Sequence, residues 1–138
     1  MSASREIKLK AWDKANNKWL NLISVLISND GSVMSVQDID GEIYGPHQVD
    51  LIRYTGKSDI NGKEIYDKNI AKDEAGTVVQ IIWTDHHQWG CKVIKSKTVL
   101  SMGKTFPLWH WDNCEKNGYR QLEVIGSGHD NPELIKGE

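Results

Sequence analysis

Tyr54-Thr55-Gly56-Lys57-Ser58-Asp59-Ile60-Asn61-Gly62-Lys63-Glu64-Ile65-Tyr66 is the stretch that decides the fold of this chain. It places two turn signals between short apolar segments. Asn61-Gly62 suits the positive φ angles of a type I′ hairpin turn, and Gly56 marks a second position where the chain can turn. The stretch therefore predicts a β-hairpin with a positive φ at Gly62. It contains no catalytic or ligand-binding signature.

The same stretch begins like a calcium-binding loop, because Asn61 follows Asp59 at a spacing of two residues. An EF-hand loop needs glycine at its sixth position and a bidentate glutamate at its twelfth. Counted from Asp59, the glycine falls at the fourth position and Ile70 stands at the twelfth. The spacing therefore argues against calcium, and the flanking apolar residues favour hairpin strands.

Composition indicates one folded domain over residues 1–138. The net charge of −2 gives no global attraction to nucleic acid or to an anionic membrane. No apolar run approaches the ~20 residues of a membrane span, and the charged N-terminus lacks the apolar segment of a signal peptide. Cys91 and Cys114 are too few for a disulfide scaffold, so we expect free thiols in a cytoplasmic protein.

Strand signals predict a mainly β protein with little helix and two parts. An N-terminal β-meander covers residues 1–47, and a barrel-like core covers residues 48–138. Short apolar segments alternate with turn signals such as Asn29-Asp30-Gly31-Ser32 and Asp40-Gly41. The apolar run from Trp19 to Ile27 fits a strand, and it also fits a short helix.

The most apolar strand candidate runs from Thr77 to Trp83. Val79, Ile81 and Trp83 alternate along it, so their side chains share one face of the strand. We therefore expect Trp83 to lie in the core beside Val79 and Ile81.

Three segments carry a family resemblance. They are Arg5-Glu6-Ile7-Lys8-Leu9-Lys10-Ala11-Trp12-Asp13, the stretch from Tyr54 through Asn61-Gly62-Lys63-Glu64-Ile65-Tyr66-Asp67, and Leu122-Glu123-Val124-Ile125-Gly126 followed by Asn131-Pro132-Glu133-Leu134-Ile135. In this order they resemble the YopX family of small phage- and prophage-encoded proteins, and they bracket nearly the whole chain. The family usually has an acid-Gly-Asp step after the tyrosine, where this chain has Asp67-Lys68-Asn69.

The resemblance implies an SH3-like barrel over roughly the second half of the chain. It also implies a phage or prophage origin, and hence the cytoplasm of a bacterial host. It implies no activity, since the family has no assigned reaction.

His86, His87 and Cys91 are the candidates for a metal site or for a nucleophile with its base. On a strand, His87 and Cys91 share a face, but four residues at ~3.3 Å each place them ~13 Å apart. That exceeds what ligands 2.0–2.3 Å from one zinc ion can span. We therefore predict no metal and no cofactor, with Cys91 as a core thiol.

One patch has a functional character, because it alternates lysines with aromatic residues. Between His86 and Trp111 the chain has four lysines and no acidic residue. The candidate partner-binding residues in this patch are Trp109, Trp111, Lys92, Lys95 and Lys97. Lysines on phosphates and aromatic rings under bases can hold a single-stranded nucleic acid. Alternatively, the lysines line a solvent-exposed face while the tryptophans fill the barrel, which the negative net charge favours.

These observations favour a non-catalytic module that binds another macromolecule, with a protein partner or a second copy of the chain preferred. A nucleic-acid binder using residues 92–111 is the alternative, and an enzyme with an unrecognised site is the third. Trp109 and Trp111 share one face of a strand, so they either fill a small core or form an exposed apolar patch. Because tryptophan is common at interface hot spots, we expect a homo-oligomer.

Overall fold

A computed structural model of the protein describes residues 8–96, 102–108 and 122–135. These residues form twelve β-strands and one short helix: β1 (Leu9–Asp13), β2 (Lys18–Trp19), β3 (Leu22–Ile27), β4 (Val33–Asp38), β5 (Ile43–Tyr44), β6 (Val49–Ser58), β7 (Glu64–Tyr66), β8 (Asn69–Lys72), β9 (Val78–Trp83), β10 (Trp89–Lys95), β11 (Thr105–Pro107), β12 (Glu123–Ser127) and α1 (Pro132–Ile135). Antiparallel sheets curl into a half-barrel, consistent with a small β-barrel fold. The prediction of a mainly β protein with an SH3-like barrel, a β-meander and little helix is confirmed.

The chain divides into two compact units, with the division between Arg53 and Tyr54 inside strand β6. In the N-terminal unit, β1 pairs with β2 and with the first half of β6, while β3, β4 and β5 form a three-stranded sheet. Its core contains Ala11, Val36, Tyr44 and Val49. The run from Trp19 to Ile27 contains the end of β2 and all of β3, so the helical alternative is wrong.

In the C-terminal unit, five antiparallel strands lie in the order β11-β10-β9-β8-β12. The second half of β6 pairs with β7. The core takes residues from most of these elements: Ile65, Ala71, Val79, Ile81, Cys91, Val93, Leu108 and Leu122. In the part of the chain that the structure describes, no helix is long and apolar enough to cross a membrane.

One five-residue turn recurs at the hairpins of both units. The carbonyl of the first residue accepts a hydrogen bond from the N–H of the fourth residue. The N–H of the first residue donates to the carbonyl of the fifth residue. The fourth residue has a positive φ, which glycine adopts without steric cost. The turns cover Ser28–Ser32, Asp38–Glu42, Asp59–Lys63, Asp73–Thr77 and Thr84–Gln88, with Gly31, Gly41, Gly62, Gly76 and His87 at the fourth position.

The turn at Asp59–Lys63 corrects the prediction of a type I′ turn. Gly62 has a φ of +82°, as predicted, but Asn61 does not have the positive φ that a type I′ turn also needs. The central residues of the turn are instead Ile60 and Asn61, and Gly62 follows them in the left-handed region. This is the three-residue hairpin connection of a type I turn followed by a glycine bulge.

The side chain of Asp59 holds this turn and extends it to a distant strand. Its Oδ1 accepts hydrogen bonds from the backbone N–H groups of Asn61 (2.9 Å) and Lys63 (2.8 Å). Its Oδ2 accepts a third from the N–H of Val124, at the start of β12, at 2.9 Å. The N–H of Ile60 also donates to the carbonyl of Leu122 at 2.9 Å. The acidic residue that suggested calcium is thus a buried acceptor that links the β6–β7 hairpin to β12.

Gly56 and Lys68, two further residues in and beside the β6–β7 hairpin, also have a positive φ. Gly56 has a φ of +87° and lies inside β6, where the register with β7 shifts, so it forms a bulge and not a turn. Lys68, at one of the departures from the resemblance, has a φ of +66°. Its N–H donates to the carbonyl of Ile81 and its carbonyl accepts from the N–H of Gly128, so these two hydrogen bonds hold a lysine in the left-handed region.

We expect Gly62→Val to lower the melting temperature by about 5 °C or more, because an L-residue in the left-handed region costs about 1–2 kcal/mol. A Cβ at Gly62 would meet no other atom within 4 Å, so the loss comes from backbone strain alone. Gly62→Asn is the matched control, since asparagine tolerates this region and should lose clearly less. Equal melting temperatures for the two variants would contradict the assignment.

Candidate functional site

A groove in the C-terminal unit has aromatic side chains in its lining. Its volume is about 410 Å³, within the range of binding pockets. The lining of this groove, hereafter the Trp83 groove, comes from the end of β9, the β9–β10 turn and β11: Ile82, Trp83, Thr84, Asp85, His86, Gln88, Thr105, Phe106 and Pro107.

Trp83 lines this groove and is 54% exposed, so the prediction that it lies in the core is wrong. The face was predicted correctly, because Val79 and Ile81 on that face are 0% exposed. Trp83 is the last residue of β9, however, and the core ends before it. Alternation fixes the side of a sheet to which a residue points, but not how far along the strand the core extends.

Trp83 is held in place by a neighbouring ring. It pairs in register with Trp89 across the β9–β10 hairpin, and the two rings meet edge to face with centroids 5.1 Å apart. Trp89 itself is half-buried and packs against the core. An exposed aromatic ring fixed by a second ring loses little conformational entropy when it binds a partner.

The packing beneath two lining threonines depends on the absence of a side chain at Gly90. A Cβ at this buried position would lie 2.5 Å from Cγ2 of Thr84 and 3.1 Å from Cγ2 of Thr105. Both threonines line the groove, and they approach each other over Gly90 because it has no side chain. Thr84 also fixes the adjoining turn, donating from Oγ1 to the carbonyl of Gln88 at 2.9 Å.

The described lining of the groove carries a negative charge, whereas the patch predicted from sequence is rich in lysine. Asp85 is the one side chain with a fixed charge among the described lining residues, and neither lysine nor arginine is among them. A groove with this lining offers stacking and apolar contact but no cation for a phosphate group. Its electrostatics therefore favour a neutral or basic ligand.

Two of the five predicted partner-binding residues lie within the described residues. Lys92 and Lys95 are exposed on β10, the strand that follows the β9–β10 turn, and neither lines the groove. Lys97, Trp109 and Trp111 lie outside the described residues, so their role in binding stays a prediction.

The side chains considered for a metal site or for a nucleophile with its base lie in different environments. His86 and His87 are exposed in the Thr84–Gln88 turn, whereas Cys91 is fully buried in the core. Burial raises the pKa of the Cys91 thiol to about 12, so it is not a thiolate near neutral pH. Within residues 8–96, 102–108 and 122–135, no three His, Cys, Asp or Glu side chains form a group that could hold a metal ion.

Antiparallel sheets that curl into a half-barrel define the class of small β-barrel proteins. The model of the YopX protein family matches residues 8–136, nearly the whole chain. The chain belongs to the YopX family.

Comparison of structures gives the same fold. The crystal structure of protein EF1440 from Enterococcus faecalis is similar to this chain with a TM-score of 0.64 over 96% of this chain and 99% of that one, at 20% sequence identity. At this identity the likeness concerns the fold alone. No curated protein matches the chain in sequence.

The different positions of Ile81 and Trp83 on one face predict different energetic roles. We expect Ile81→Ala to lower the free energy of unfolding by about 2–4 kcal/mol, because it leaves a cavity in the core. Trp83→Ala should cost only about 1 kcal/mol, the value of an edge-to-face aromatic pair. Urea denaturation of both variants measures the difference. A loss at Trp83 equal to that at Ile81 would contradict the exposed position of Trp83.

Proposed function

We propose that this protein is a non-catalytic binding module that takes an extended peptide segment of a partner protein in the Trp83 groove. The observation that carries the proposal is the exposure of Trp83, a lining residue of the groove whose ring packs edge to face against Trp89. Exposed aromatic rings that line a groove are the usual means by which small barrels bind proline-rich and apolar peptides. Tryptophan is also the residue most enriched at binding hot spots.

The chemistry of the groove specifies the peptide. Trp83, Phe106 and Pro107 offer apolar surface, which suits an aliphatic or proline side chain. Asp85, in the same lining as Trp83, supplies one negative charge. A lysine or arginine of the peptide can approach both, since an aromatic face attracts a cation and a carboxylate pairs with it. The preferred ligand is therefore an apolar peptide with an adjacent basic residue.

The charge of the groove also separates this proposal from nucleic-acid binding. Single-stranded nucleic acids need lysines or arginines along the backbone path, and their binding weakens steeply with added salt. The described lining has no such residue, although Lys92 and Lys95 are exposed on β10. Protein binding is therefore the better supported of the two.

Selection from a displayed library of random peptides tests the proposal with the full chain. We expect the selected peptides to combine aliphatic or proline residues with arginine or lysine. In titrations with a selected synthetic peptide, Trp83→Ala should weaken binding at least about tenfold. Asp85→Asn should weaken it several-fold, and only for peptides that carry a basic residue.

Ile125→Ala is the matched control, since Ile125 is an exposed apolar residue on β12 and does not line the groove. It should leave the affinity unchanged. A library that yields no binder, or a binder indifferent to Trp83→Ala, refutes the peptide proposal. If a single-stranded oligonucleotide binds instead, with a steep salt dependence and a loss on Lys92→Ala and Lys95→Ala, the nucleic-acid alternative is correct.

A further inference from the structure

His86 is the one histidine among the described residues that line the Trp83 groove. The β9–β10 turn holds its backbone, because the N–H of His86 donates to Oγ1 of Thr84 at 3.3 Å. The N–H of His87 donates to the carbonyl of Thr84 at 3.1 Å, which closes the turn. Asp85 and His86 thus belong to the groove lining from within a hydrogen-bonded turn, whereas His87, in the same turn, is not a lining residue.

The charge of this lining depends on pH through His86. Histidine is the side chain that ordinarily changes its charge between pH 5 and 8, whereas aspartate stays negative over this range. With a neutral His86, the described lining carries the single negative charge of Asp85. With a protonated His86, the two charges cancel. The described lining therefore loses its attraction for a cation as the pH falls.

The other charged groups near the groove, among the described residues, do not reverse this change. Lys92 lies opposite Thr105 in the β10–β11 pair, and Lys104 precedes Thr105; both lysines are exposed. Lysine keeps its positive charge from pH 5 to 8, so these two residues add a constant repulsion of cations. His87 also changes its charge in this range, but it is exposed outside the lining, where water and salt screen it. The change within the lining therefore comes from His86.

We infer that protonation of His86 weakens the binding of a basic peptide in the Trp83 groove, so that the groove binds the peptide at neutral pH and releases it in mild acid. This inference rests on the proposed function, because it assigns a regulation to the same site. A protonated His86 repels the lysine or arginine of the peptide and offsets the attraction of Asp85. Since both side chains are exposed to water, we expect the affinity to change by roughly three- to tenfold.

Titration calorimetry of the full chain with one synthetic peptide tests this inference. The peptide is a library-selected binder that Trp83→Ala weakens and that has lysine or arginine as its only titratable residues. Its ends are acetylated and amidated, so its own charge is constant over the pH range of the measurement. The dissociation constant should rise roughly three- to tenfold from about pH 7.5 to about pH 5.5. The same peptide with glutamine in place of its basic residue should bind equally at both pH values.

His86→Asn and His87→Asn are matched variants, because the two histidines are neighbours in one turn and both are exposed. His86→Asn should bind the basic peptide with dissociation constants within about twofold of each other at the two pH values. His87→Asn should keep the full rise. Asparagine tolerates the φ of 59° at this position, so the turn should be retained. Circular dichroism at both pH values checks that each variant is folded.

An undiminished pH dependence in folded His86→Asn assigns the effect to another group and overturns the inference. Equal affinities of the unsubstituted protein at the two pH values overturn it as well, while the loss on Trp83→Ala still supports the proposed function. A library that yields no binder, or a binder indifferent to Trp83→Ala, refutes the proposed function and this inference with it.

Discussion

The carboxylate of Asp59 is the interaction on which the C-terminal unit depends. Its three backbone hydrogen bonds close the β6–β7 turn and hold the start of β12 against that turn. Charged acceptors make stronger hydrogen bonds than neutral ones, and an unpaired buried donor is costly. Because Ile65 and Leu122 flank these bonds and both belong to the core, the position of Asp59 also decides how the core closes.

The fold was predictable because turn chemistry and alternation are local properties. Asn61-Gly62 gave the hairpin and the positive φ of Gly62, and the alternation of Val79 with Ile81 gave the buried face of β9. A feature of four of the five-residue turns has no simple signal in the sequence: a side chain accepts backbone hydrogen bonds three residues before a residue with positive φ, at Asp38, Asp59, Asp73 and Thr84. The bond from Asp59 to Val124 could not be predicted, since it joins residues 65 positions apart.

The candidate site was less predictable than the fold for the same reason. An exposed Trp83 and a buried Ile81 have identical patterns along the strand, and only the tertiary structure determines where the core ends. Gly90 carries no sequence signal for the groove, yet its missing side chain allows Thr84 and Thr105 to approach each other. None of the predicted residues Lys92, Lys95, Lys97, Trp109 and Trp111 is among the described lining residues of the groove, whose one side chain with a fixed charge is Asp85.

Hydrogen exchange at the amide of Val124 tests the role of Asp59 most directly. In Asp59→Ala this amide loses its acceptor, so the local free energy of opening should fall by about 2 kcal/mol and exchange should accelerate roughly 30-fold. Asp73→Ala is the control, because Asp73 accepts the same two turn bonds, from Ala75 and Thr77, in another hairpin. The account predicts an unchanged rate at Val124 in that variant. An unchanged rate at Val124 in Asp59→Ala would contradict it.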